Sequence, residues 1–302
     1  MTWLGKSVAF AVIASLFLVA WFGHQRQQQL ARESQVDFQS VAELNNSKGA
    51  EAEASSSSVS NPFGLSADSD LDSVLSVALD LLQEIDSNVL DYRATLISRE
   101  RVGGVLKEEA RMRVKVRQPT PKAGLSVYLK FLAPTSTAGR EIIWVEDQNE
   151  GRIVAHEAGL RRMIGTLELD PHGRLAMLGQ KYPICDIGIA NLAQKLIEKG
   201  ESEKEIGQAI IHIVEDQEVD GKVCDMIEVV NPTDNGKSEF HIARVYLDRK
   251  LRIPVKYAAY LWPDSPDNPP VLEEEYTYVD LELNVGLTDK DFDRKNSDYD
   301  FP

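Results

Sequence analysis

The sequence predicts an α+β fold: a large curled antiparallel sheet with two main helices against one face, preceded by an N-terminal transmembrane or signal segment. Three observations carry that prediction. Beyond the first helix, most segments alternate apolar and polar residues, the period of a half-buried strand. Short turn signals (Gly103-Gly104, QNEG, Asp220-Gly221) separate consecutive strands, which gives antiparallel connectivity rather than crossovers. Two stretches replace the alternation with the helical i, i+3, i+4 spacing.

The chain opens with an apolar run from Val8 to Phe22 behind a single Lys6. With Trp3 and Leu4 the run approaches the roughly 20 apolar residues that a span needs, and Trp3 and Trp21 are placed as interfacial anchors. The pairs Leu18 with Ala20 and Trp21 with Gly23 fit a signal-peptidase site poorly. Residues 1–24 therefore read as an uncleaved signal anchor, the alternative being a cleaved signal and release to the periplasm. Residues 25–70 read as a low-complexity linker with SSSS and QQQ tracts, in which Leu30, Val36, Phe38, Val41 and Leu44 leave room for a short amphipathic helix. A flexible stretch of roughly 30 residues reaches about 30 Å, enough to hold a folded domain just off a membrane.

That domain is read as residues 71–302. Its first helix repeats apolar residues at Leu71, Val74, Leu75, Ala78, Leu79 and Leu82, with Asp70 or Ser69 as N-cap. DYRATLISRERV and VLKEEARMRVKVRQP then form a hairpin around Gly103-Gly104. On the return strand Met112, Val114 and Val116 face one way, and Arg111, Arg113, Lys115 and Arg117 form a solvated charge row on the other. LSVYLKFLAP is a strand apolar on both faces, REIIWVED and RIVAHEA pair around QNEG, and residues 165–184 read as loop. A second helix carries Ile189, Leu192, Ala193, Leu196 and Ile197, with Gly200 as its stop signal. Five more strands follow, for a total of about ten.

A net charge of −15 excludes a nucleic-acid surface, because phosphates demand a basic one. Two cysteines, Cys185 and Cys224, exclude a disulfide framework and a cysteine-rich zinc site. No cofactor or metal site is expected. Asp289, Asp291 and Asp293 alternate as in a calcium loop, but Arg294 and Asp300 stand where that loop needs glycine and glutamate. None of the nucleophile, phosphate-loop or zinc-histidine motifs occurs. His172 and His156 are the best candidates for acid–base work. GREIIWVEDQNEGRIVAH gathers Arg140, Glu141, Glu146 and His156 around one turn, and it reads as a hairpin whose charges sit at strand ends, not as an active site.

RERVGG, YLKFLAP, GREIIWVE, GQKYPI, IGIANLAQKLIEK and NVGLTDKDFD, in that order from Arg99 to Asp293, resemble the uncharacterised exported proteins of domain of unknown function 1571, a resemblance that implies no activity. ARVYLDRKLRIPVKYAAY, a strand, a turn with Asp248 and a strand opening at Pro254, is similar to the strand–Asp–turn–Pro–strand unit of the Lol lipoprotein carriers and receptors. That resemblance implies a half-closed barrel with helices across its mouth and an apolar cavity for acyl chains. Arg99, Arg101, Arg111 and Arg140 are all open as its cavity arginine. A carrier must diffuse, whereas this chain reads as tethered.

The sequence thus points to an envelope protein on the extracytoplasmic face, binding an acyl chain, lipid or lipidated partner. Met112, Val114, Leu129, Phe131, Ile142 and Trp144 are the expected cavity lining. An envelope scaffold that docks another protein without a ligand cavity is the alternative. A hydrolase using His172 or His156 ranks last.

Overall fold

Period-two alternation gives each strand one apolar face, and antiparallel pairing lines those faces up across a sheet. The computed structural model describes residues 62–159, 163, 165–265 and 267–302. The expected anchor and the linker as far as residue 61 lie outside the described residues. Among the described residues no helix is long and apolar enough to cross a membrane. The described residues from 62 to 262 and from 270 to 302 form one compact unit.

Twelve strands make one antiparallel sheet, where the alternation alone led to an expectation of about ten. Its first half comprises β1 (Asp91–Val102), β2 (Val105–Leu106), β3 (Ala110–Arg117), β4 (Ser126–Ala133), β5 (Glu141–Val145), β6 (Ile153–His156) and β7 (Thr166–Leu169). The second comprises β8 (Ile210–Val219), β9 (Lys222–Val230), β10 (Ile242–Asp248), β11 (Ile253–Leu261) and β12 (Val271–Leu283). Helix α1 (Leu71–Asn88) precedes β1, and α2 (Ile189–Ile206) joins the halves in sequence. Each half is a meander, and the spatial order β7-β6-β5-β4-β3-β1-β12-β11-β10-β9-β8 brings β1 beside β12, with β2 off the path against β1. That one pairing, with Tyr92 opposite Leu283 and Glu100 opposite Glu274, makes two meanders into one sheet.

Register fixes what each face carries. Leu167, Ala155, Ile142, Leu129, Val114 and Ala94 form one row across the first half. Tyr276, Tyr257, Val245, Ile227 and Ile213 form the corresponding row across the second. Both helices cover this face: α1 sets Val74 and Leu81 against Ile227 and Leu247, and α2 sets Leu192 and Leu196 against Ala243 and Tyr257. Asp70 caps α1 by accepting from the Ser73 amide at 2.9 Å. The buried Tyr92 hydroxyl accepts from the Ile189 amide at 3.0 Å, satisfying one free donor at the start of α2.

Four expectations need correction. Phe63 and Leu65, within the stretch read as linker, are buried against α1 and β9, and the Arg252 guanidinium stacks over Phe63 at 5.3 Å. Order here comes from tertiary contacts, which aperiodic composition does not announce. Residues 166–169 form β7 inside the stretch read as loop, too short for its alternation to register. Gly200 does not stop α2, which runs on to Ile206 and ends at Gly207 in the left-handed region (φ 75°). A Cβ on Gly200 would lie 2.7 Å from Leu75 Cδ2, so this glycine lets α1 and α2 touch.

The fourth concerns the charge row of β3, which is only partly solvated. Lys115 pairs with Asp291 and Arg117 with Asp289, each at 2.7 Å. The C-terminal segment lies across this second face, packing Phe292, Tyr299 and Phe301 against Tyr128, Ile143 and Val145. Tyr128 and Tyr299 stack with centroids 4.1 Å apart. A strand apolar on both faces, as β4 reads, is explained by having both faces covered.

Candidate functional site

Between the helical face of the sheet, α2 and the segment 170–188 lies a cavity of about 460 Å³. Met112, Leu129, Phe131 and Ile142, four of the six residues expected to line a cavity, line this one. Val114 and Trp144, the other two, do not. Val114 is buried in the core at 1% exposure, and Trp144 turns its indole N–H to the Gly151 carbonyl at 3.0 Å, filling space behind the QNEG turn. Both lie on the same sheet face but farther along their strands, a distinction that alternation cannot make. Leu175 and Leu178 line the cavity and stand exposed at 72% and 77%, so it opens to solvent beside them.

The wall changes character along the sheet. Over β7 to β3 it is hydrocarbon, interrupted by Arg140, which pairs with Glu157 at 2.8 Å and lies over the Phe131 ring at 5.5 Å. Of the four candidate cavity arginines, Arg140 alone lines the cavity. Arg101 bonds the Leu272 and Gly104 carbonyls, Arg111 pairs with Glu109, and Arg99 stands opposite Glu275 at a register position on the other face.

Over β1, β12 and β11 the wall is polar. Glu100 and Glu274 face each other across the strand pair, a placement that is unfavourable for two like charges. Neighbours offset the repulsion. Tyr276 donates to Glu100 at 2.8 Å, the Lys181 amide donates to its other oxygen at 2.9 Å, and Tyr182 donates to Glu274 at 2.9 Å. The Lys181 ammonium bridges Glu273 and Glu274 at 2.7 Å each. Burial pushes the Glu100 carboxyl above the usual carboxylate range, and the Glu274 charge adds to that. Burial alone would lower the Lys181 ammonium, but its bonds to Glu273 and Glu274 outweigh that and raise it. The Tyr182, Tyr257 and Tyr276 hydroxyls are held neutral first by burial and then by the adjoining carboxylates. Lys181 and Tyr182 come from GQKYPI and Glu100 from RERVGG, so two of the segments that carried the family resemblance meet here. Sequence reasoning had no route to this cluster, because Glu100 and Lys181 are 81 residues apart, Tyr182 and Glu274 are 92 apart, and they reach each other only through the fold.

The remaining candidates take structural parts. His156 is 1% exposed, opposite Glu141 in the β5–β6 register, with its ring against Phe301 on the face away from the cavity. Glu141 is fully buried and accepts from the Tyr128 hydroxyl and the Asp300 amide. Glu146 accepts from the Leu125 amide at 3.1 Å. The His172 ring lies 3.7 Å from Cys185 Sγ, and burial raises that thiol away from the reactive thiolate. Both cysteines are free. Asp291 closes a capping box with Thr288 as well as pairing with Lys115.

The family model for DUF1571, proteins of unknown function, matches residues 89–301. The chain belongs to that family. The match takes in every strand of the sheet and the whole cavity wall named above. Comparison with curated proteins finds no match. Among solved structures, a DUF1329 family protein from Desulfovibrio piger is similar at 12% identity and TM-score 0.36, covering 72% of this chain and 97% of that one. A LolA superfamily protein from Nitrosomonas europaea is similar at 13% identity and TM-score 0.33, covering 72% and 97%. The Pseudomonas aeruginosa MucA/MucB complex gives 15% identity and TM-score 0.41, with 73% of this chain and 60% of that one covered. These scores are too low for any of the three to stand in for the fold, which rests on the strand pairing described above.

Proposed function

We propose that this protein binds an acyl chain, of a lipid or a lipidated partner, in the cavity between the sheet and α2, on the extracytoplasmic side of the envelope. The observation that carries the reading is the cavity itself: about 460 Å³, open to solvent at Leu175 and Leu178, with hydrocarbon over β7 to β3 and a polar strip beyond. A curled half-barrel with helices over its mouth is the architecture this reading requires, and the covering of one sheet face by both helices supports it. The apolar run at residues 8–22 supports placement at a membrane. No protein nucleophile is needed, because each buried methylene contributes roughly 0.8 kcal/mol to binding without chemistry.

The test is native mass spectrometry of the full chain purified from its own membrane, together with displacement of a fluorescent fatty acid. Bound lipid and saturable displacement are expected, and Ala155→Trp, which puts an indole into the hydrocarbon part of the cavity, should weaken both. A wild-type protein that carries no lipid and binds no fatty-acid probe sinks the reading. The exposed pair Leu175 and Leu178 favours a second reading, a surface that docks a protein partner. Leu175→Ser with Leu178→Ser would then lose the partner.

A further inference from the structure

A second, smaller cavity of about 90 Å³ lies between α1, α2 and strands β9 to β11. Leu196, Lys199 and Tyr257 line both cavities, so the two adjoin at a partition made of those three side chains. Along the sheet the sequence of surfaces is therefore hydrocarbon over β7 to β3, the tyrosine–carboxylate strip over β1, β12 and β11, then hydrocarbon again over β11 to β9. Its wall is mainly branched and aromatic hydrocarbon, with Leu71, Val74, Leu81, Ile227 and Phe240 among it. Ala78, Ala193 and Ala243 also line it, and their short side chains leave it room.

Building on the acyl-binding reading, we propose that the small cavity is a second subsite, and that the ligand has two apolar arms of unequal length joined by a hydrogen-bonding linkage such as an ester or amide. The long arm lies over β7 to β3. The linkage carbonyl meets the Lys199 ammonium, which lines both cavities and keeps donors beyond its pair with Glu239, and the short arm passes the Leu196–Tyr257 partition. One unbroken alkyl chain fits this order poorly, since its methylenes would lie against the half-buried Glu100 and buried Glu274 carboxylates and the tyrosine hydroxyls, and offer them nothing. A polar linkage at that place leaves only methylenes against hydrocarbon on either side.

The experiment compares two probes on the full chain by displacement of the fluorescent fatty acid: monopalmitoylglycerol, and the same molecule carrying a butanoyl ester as a second arm. The wild type is expected to bind the two-armed probe more tightly, by about fourfold for each methylene that enters the small cavity. Ala243→Leu fills that cavity and should remove the difference while leaving monopalmitoylglycerol affinity unchanged. Leu196→Ala lowers the partition and should extend the preference to a hexanoyl second arm, which keeps the proposal testable if Ala243→Leu fails to fold. Equal affinities of the wild type for the two probes overturn the second subsite and leave the acyl-binding reading standing. So does an Ala243→Leu variant that weakens both probes alike, or a Leu196→Ala variant with unchanged preference. Binding of neither probe overturns both.

Discussion

Replacing Glu141 by alanine should destabilise the fold without touching the cavity. The carboxylate is fully buried and makes three bonds: from Tyr128 Oη at 3.1 Å, from Lys130 Nζ at 2.8 Å and from the Asp300 amide at 2.9 Å. Removing it leaves the buried Tyr128 hydroxyl without this acceptor, at about 1 to 3 kcal/mol. The Asp300 amide loses the same kind of bond in a wetter place, for about 1 kcal/mol. Lys130 is a quarter exposed and keeps Asp300 at 2.9 Å, so its own loss is small. The sum is about 3 kcal/mol, the lower end of the range for breaking a buried pair. For a domain of this size it corresponds to a fall in Tm of roughly 6 to 12 °C. Calorimetry and urea unfolding of the full chain give the number, and limited proteolysis should show the last ten or so residues cut first, since Tyr299 and Phe301 lose their anchor. Glu141→Gln, which keeps one acceptor oxygen, should fall about halfway. A loss under about 1 kcal/mol, the worth of an exposed pair, would refute the assignment of Glu141 as the anchor of the C-terminal segment. So would a loss of probe binding in a variant that remains folded, because Glu141 lies on the face away from the cavity.

Three further outcomes are expected. Gly200→Ala should cost about 1 kcal/mol, because the clash with Leu75 outweighs the helix-propensity gain; in a Leu75→Ala background the same change should stabilise by a similar amount, and stabilisation in both backgrounds would mean the helices do not touch there. Asp248→Ala should cost about 2 to 3 kcal/mol, since the buried Asp248 Oδ1 accepts from both the Lys250 and Leu251 amides at 2.8 Å. Asp248→Asn keeps that oxygen and should cost only about 1 kcal/mol, so equal losses for the two variants would count against the bonding shown. The raised Glu100 carboxyl makes stability fall as pH rises from its unfolded pKa through its folded one, because the unfolded chain ionises first. Urea unfolding from about pH 4 to pH 8 should show Glu100→Gln gaining on the wild type across that window, and a difference independent of pH would be the contrary result.

Much of this fold is legible in the sequence because its signals are local. Asp70 as the cap of α1, the Gly103-Gly104 hairpin and the alternation of β3 each depend on neighbours within a few residues. What stays hidden depends on distant partners. Gly200 looks like a helix stop until Leu75 is brought against it, and Lys115 looks solvated until Asp291 folds back over β3. The candidate site divides the same way. Period-two alternation places Met112, Leu129, Phe131 and Ile142 on one face, which is enough to find the cavity's hydrocarbon wall. It cannot tell Val114 from Met112 along the same strand. Nor does it bring Glu100, Lys181 and Glu274 together, since their meeting requires the pairing of β1 with β12 and the return of the segment after β7.

The pairing of β1 with β12 also sets the order in which the protein can become functional. Glu100 belongs to β1, while Glu274, Tyr276 and Tyr278 of the same cavity wall belong to β12, more than 170 residues later. As the chain emerges from a ribosome or a translocation pore, the first meander can assemble with β1 as a temporary open edge. No ligand-sized enclosure exists until residue 271 and beyond have arrived and zipped onto that edge. The site thus reports completion of the chain: a product interrupted before β12 would hold most of the hydrocarbon wall and yet have nothing to close it.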